Sequence, residues 1–294
     1  MTAQDTDEAD IEASRAPLLD HLIELRERLI VCAAALVVGF LICFYFSQDI
    51  YIILLHPFEV GAQLMATQKA AGAHHGYFDM LLTLVGLEKA PPAVQHLNLV
   101  FTAPLEFFFT KVKLAVFGAI VLVFPVLAWQ LYRFVAPGLY RRERLAFLPF
   151  LMASPVLFSM GAALVYFVML PFVLWFSLNQ QVTGAGPVSV QLMPKVSEYL
   201  DLVTTLLLAF GLCFQLPVVL SLLGLAGLVN SAMLRSSWRY AVVGVFAVAA
   251  VVTPPDPISM MSLALPICLL YFVSIWCVQL IELRRKKEDA AAES

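Results

Sequence analysis

Charge is what this sequence has least of. Only 13% of its 294 residues are Asp, Glu, Lys or Arg, about half the ~25% of a soluble globular domain. Set against 61% hydrophobic residues and a mean hydropathy of +0.87, that scarcity excludes a water-soluble fold. The apolar residues gather into runs that reach the roughly 20 residues needed to cross hydrocarbon, so the composition defines a polytopic membrane protein. Cysteine is also sparse. Cys32, Cys43, Cys213, Cys268 and Cys277 all lie in apolar runs, none in CxxC spacing or beside a histidine cluster. They read as packing residues, with no metal site and no redox pair. The histidines other than His21 fall in one connecting stretch without regular ligand spacing. Three catalytic signatures are missing: GxxxxGK[ST], HExxH and GxSxG. Nothing therefore points to nucleotide use, a zinc peptidase or a serine hydrolase. No cofactor is expected, and no nucleic-acid partner.

A cleavable signal would begin with a basic region. Here the first fifteen residues carry Asp5, Asp7, Glu8, Asp10 and Glu12 before a lone Arg15. Residues 1–17 are expected to form a disordered acidic tail on the cytosolic side. No internal repeat is visible, which weakens an inverted-repeat transporter reading.

Six spans are expected, at 28–46, 104–134, 147–176, 197–223, 239–253 and 259–281. Of the 18 Lys and Arg, thirteen flank one side of this arrangement: Arg15, Arg26, Arg28, Arg133, Arg141, Arg142, Arg144, Arg235, Arg239 and the run 284–287. Lys69, Lys89, Lys111, Lys113 and Lys195 flank the other. The positive-inside rule then places both termini, and a tail at 282–294, in the cytosol. The expected fold is a single all-α membrane domain of six transmembrane helices.

Asp20 is a plausible N-cap for a first helix that places Leu18, Leu22, Leu25 and Leu29 on one face. A continuous helix over 21–46 would run about 39 Å, longer than the ~30 Å hydrocarbon core, so its first turns stand in the interface. Pro125, Pro155, Pro171, Pro217 and Pro266 fall inside spans. Each deletes an amide donor and tends to bend its helix, and together they suggest a curved, proline-kinked bundle. The fifth span, about 22 Å long, is shorter than the membrane. The stretch 47–103 reads as a long external loop.

Four segments are more specific. His21-Leu22-Ile23-Glu24-Leu25-Arg26-Glu27-Arg28-Leu29 precedes span one, and Phe134-Val135-Ala136-Pro137-Gly138-Leu139-Tyr140-Arg141-Arg142-Glu143 follows span two. Phe214-Gln215-Leu216-Pro217 lies in span four, and Thr253-Pro254-Pro255-Asp256 follows span five. In order and spacing the set resembles the TatC family, the signal-peptide-binding subunits of the twin-arginine protein translocase, over residues 18–283. Two features depart from the family pattern. Residues 69–96 form extra length in the first external stretch, and span four carries Gln215 where many members have glutamate.

The resemblance implies that Glu24, Arg26, Phe134 and Glu143 receive the twin-arginine motif of signal peptides on the cytosolic face. A carboxylate can take a guanidinium in a bidentate fork that lysine cannot reproduce. Each residue also has a plainer reading. Glu24 is spaced for an i,i+4 ion pair with Arg28, Glu143 could be a surface charge among arginines, and Phe134 could be an interfacial aromatic. For Gln215 the choice is between an interhelical hydrogen bond, to the carbonyl freed by Pro217, and a polar site facing partner helices or the translocating chain. Asp256 reads first as an N-cap with Pro257 at N1 of the last helix.

By the same resemblance the protein works without enzymatic chemistry in the bacterial inner membrane. It would assemble with TatA and TatB in an oligomeric complex and draw on the proton motive force. The main alternative is an ion-coupled small-solute transporter. That would call for paired ionisable groups near the midplane, whereas the charges here crowd one face.

Overall fold

The structure is a computed structural model, and it describes residues 3–71, 103–135, 143–179, 195–225, 227–253 and 257–292. Among them the chain is almost wholly helical: α1 (Ala3–Tyr45), α2 (Ser47–Ala71), α3 (Glu106–Val135), α4 (Glu143–Leu164), α5 (Leu170–Asn179), α6 (Val196–Cys213), α7 (Leu216–Leu225), α8 (Ser231–Ser236), α9 (Trp238–Val252) and α10 (Pro257–Ala292). Five stretches are long and apolar enough to cross a membrane: Leu22–Tyr45, Glu106–Phe134, Met152–Ser177, Val196–Leu225 and Met260–Arg284. The shorter apolar helix Trp238–Val252 stands where the short fifth span is expected.

Two of the five prolines coincide with interruptions. Ahead of Pro171 the helix widens into a π-turn at Val165–Met169, closed by Leu170 N–H donating to Val165 O. A π-turn is a common way to absorb a proline's missing donor within a helix. Ahead of Pro217, α6 stops at Cys213 and α7 restarts at Leu216, with Gln215 N–H reaching only three residues back, to Leu212 O at 3.0 Å. Helix continues through Pro125, Pro155 and Pro266.

Helix extends beyond the apolar runs at both chain ends. The first helix begins at Ala3, where a disordered tail is expected, so Asp20 lies within it and is not at its N-terminus, and α10 continues to Ala292. In 282–292 Ala, Glu, Lys and Arg dominate and are strong helix formers, so helix propagates out of the last apolar run.

The larger correction concerns 47–103, read as an external loop. Its first part is the 25-residue helix α2, which packs on α5 and touches α1 and α3. Leu54, Pro57, Phe58 and Gly61 are buried at helical spacing, while His56 and Glu59 are exposed. The apolar run in this helix is too short to signal a span, and Pro57 falls inside it. The fold compensates that proline. Pro57 leaves Ile53 O without its helical donor, and the Tyr166 hydroxyl donates to that carbonyl at 2.7 Å. The buried Tyr199 hydroxyl donates to the next carbonyl, Leu54 O, also at 2.7 Å. Tyr199→Phe is expected to weaken the seat of α2 by about 1 kcal/mol. Faster hydrogen exchange confined to amides near 51–58 checks this, and Tyr166→Phe is expected to do less because its bond is more exposed. Most of the extra length at 69–96 lies outside the described residues.

The core joins α2, α3, α5, α6, α9 and α10 around Phe210, Leu170, Val203 and Ile267, with α4 packed against it through Leu157 and Ala162. The helices α4 and α6 approach closely because Gly211 receives the Phe158 ring and Gly161 receives Phe214. A Cβ at Gly211 would stand 2.4 Å from Phe158 Cε2, and one at Gly161 2.8 Å from Phe214 Cγ. Ion pairing and hydrogen bonding mark the two ends of the bundle. At one end Lys113 Nζ of α3 donates to both oxygens of Asp201 on α6, at 2.9 and 2.8 Å. At the other, Leu225 packs with Ala128, Tyr132 and Ile281, and Ser231 donates its N–H and hydroxyl to Glu282. That second end carries the Glu24–Arg28 stretch of α1, the close of α3 and the turn at α8.

Candidate functional site

The middle of α1, around Glu24 and Arg28, lies along the last turns of α3, within the most extensive helix pairing in the fold. Three side chains join them. Arg28 Nη2 donates to Glu24 Oε1 at 2.6 Å, and Arg28 Nη1 donates to Gln130 Oε1 of α3 at 3.3 Å. The side chains of Arg28 and Glu24 are 20% and 30% exposed, so both are partly withdrawn from solvent. Phe134, half-buried, stands one turn beyond Gln130 on the same face of α3.

The i,i+4 pair expected between Glu24 and Arg28 is therefore present. It does not exhaust the carboxylate, whose Oε2 has no hydrogen bond among the described residues. Arg26 is exposed. Two residues along a helix point to different faces, so the cation that orients Glu24 is Arg28. Glu143 is the first residue of α4, where the helix dipole favours a carboxylate; the turn 136–142 that leads to it lies outside the described residues. Asp256 also lies outside them, although Pro257 does open α10 as expected. Gln130 was missed by sequence reasoning. Its one visible signal is its position a helical turn ahead of Phe134.

Gln215 sits apart, at the break between α6 and α7. Its Nε2 donates to Ser154 O at 2.8 Å and its Oε1 accepts from Ser154 Oγ at 2.7 Å. Ser154 belongs to α4 and is buried. The amide is thus bound at both ends to one residue of a neighbouring helix. The acceptor is Ser154 O, the carbonyl ahead of Pro155, and not one freed by Pro217. Among the described residues no group of His, Cys, Asp or Glu could hold a metal ion.

These features define a class: a multi-pass helical membrane protein with a Glu24–Arg28–Gln130 cluster and Phe134 where α1 meets the last turns of α3, and a glutamine amide bonded between helices at the α6–α7 break. Comparison with known proteins narrows it. The family model for the Sec-independent protein translocase protein TatC matches residues 20–266. A TatC from Magnetococcus marinus is 38% identical over 285 residues, covering 97% of this chain and 92% of its own. The TatC of Escherichia coli (strain K12) is 34% identical, covering 88% and 87%. A crystal structure of the twin-arginine translocase receptor TatC superposes with a TM-score of 0.66 at 30% identity, over 88% of this chain and 98% of that one. The chain belongs to the TatC family of Sec-independent protein translocase proteins.

Proposed function

We propose that this protein is the receptor and scaffold subunit of a twin-arginine translocase in a bacterial cytoplasmic membrane, and that its Arg-rich end faces the cytosol. Glu24 and Glu143 receive the two arginines of a signal peptide, with Phe134 lining the surface between them. Folded precursors then cross in company with TatA and TatB, driven by the proton motive force and without enzymatic turnover. One observation carries this reading: Glu24 already binds a guanidinium at 2.6 Å, beside the helix that presents Phe134. The site thus has the chemistry and the setting that an incoming arginine requires. The solute-transporter alternative has less support, since the interior amide is spent on Ser154. Capture of a twin-arginine precursor by the membrane-embedded protein tests the proposal. Binding is expected for the Arg-Arg precursor and not for its Lys-Lys variant, and equal capture of both would reject it.

Orientation is tested separately. In a cysteine-free background, His75→Cys and Ala185→Cys are expected to react with a membrane-impermeant maleimide on intact cells. Tyr140→Cys and Ala290→Cys are expected to react only after lysis. The reverse pattern would put the recognition surface outside the cell.

A further inference from the structure

The Glu24 carboxylate does not hold its place alone. Arg28 bridges it to Gln130 across the α1–α3 interface, and Arg28 Nε is buried with no hydrogen-bond partner. A guanidinium withdrawn from water with a donor idle is costly. An ordinary helix-stabilising pair would need neither the burial nor the third residue. A buried unsatisfied donor in a native fold calls for an explanation, and the geometry supplies one. Gln130 lies one turn from Phe134, so the planar Arg28 group sets the distance from the α1 carboxylate to the aromatic on α3.

We propose that Arg28 and Gln130 are positioning residues for signal-peptide recognition, holding Glu24 against α3 through Oε1 and leaving Oε2 for the ligand. The inference rests on the receptor reading of Glu24 given above. It makes recognition depend on a residue, Gln130, that need not touch the peptide. It also requires arginine at 28, because the point charge of lysine cannot bond Glu24 and Gln130 in one fixed plane.

The test measures affinity of the purified full-length protein for a fluorescent twin-arginine signal peptide. Gln130→Leu and Arg28→Lys are each expected to weaken binding about 5-fold or more, as for residues of one hydrogen-bonded network. Gln130→Glu, which keeps an acceptor for Arg28, is expected to retain most of the affinity. In a Glu24→Ala background Gln130→Leu is expected to have no further effect, a dependence that loss of packing would not produce. Parental binding by Gln130→Leu, a gain in its affinity, or an undiminished loss without Glu24 would each overturn the proposal. Parental binding by Glu24→Ala alone would instead reject the receptor reading on which it rests.

Discussion

Replacing Glu24 or Glu143 by alanine is expected to weaken twin-arginine precursor binding on the order of 10- to 100-fold. A charge-assisted hydrogen bond across an interface contributes roughly 1.5–3 kcal/mol. Each carboxylate is proposed to take one guanidinium or to share both. Glu24 is partly withdrawn from solvent and aligned by Arg28; Glu143 opens α4, where a carboxylate is favoured by the helix dipole. If both serve the same two arginines, the double variant is expected to lose less than the product of the single losses. Changing the precursor's arginines to lysines is expected to shrink the penalty of either substitution. Equilibrium binding to detergent-solubilised protein provides all four measurements. Membrane levels are expected to stay normal, since Glu24 lies outside the buried core and Glu143 is the terminal residue of its helix. Independent, multiplicative losses would assign the glutamates to separate contacts.

The second large effect lies in the interior. Gln215→Leu removes both bonds to Ser154 and leaves its buried hydroxyl without this partner, at a cost of roughly 1–3 kcal/mol, while Ser154 O keeps only its helical bond. The damage falls where α6 breaks before α7 and where α4 presses on α6 through Gly161 and Gly211. Export by Gln215→Leu is expected to fall well below parental, while precursor binding at Glu24 survives. Ser154→Ala removes one of the two bonds, since Gln215 Nε2 still reaches the main-chain carbonyl. It is expected to show a milder form of the same defect. Gln215→Glu keeps the acceptor for Ser154 Oγ and is expected to support export. Normal export by Gln215→Leu would reduce this residue to packing.

Much of this was legible in the sequence, for identifiable reasons. The apolar runs locate the spans within a few residues because hydrocarbon thickness fixes their length. Pro171 and Pro217 announce their interruptions because a missing donor must be absorbed somewhere nearby. Spacing alone gives the Glu24–Arg28 pair. The family motifs point to Glu24, Phe134 and Glu143 as candidates. What was not legible depends on contacts between segments distant in the chain. Helix α2 looks like a loop until Tyr166 and Tyr199 are seen to satisfy the carbonyls around Pro57. Ser154 is an unremarkable serine until Gln215 arrives from 61 residues away. Gln130 gains meaning only from Arg28, 102 residues earlier. No local pattern encodes such pairings.

The central claim is that the end of the bundle joining α1 to α3 receives the two arginines of a signal peptide. Its most direct test places the photoreactive residue p-benzoylphenylalanine at position 134 and illuminates membranes containing a twin-arginine precursor. The account predicts an adduct that maps to the arginine region of the signal peptide, disappears when both arginines are lysine, and is strongly reduced by Glu24→Ala. An adduct of equal yield with the Lys-Lys precursor, or one unaffected by Glu24→Ala, would contradict it.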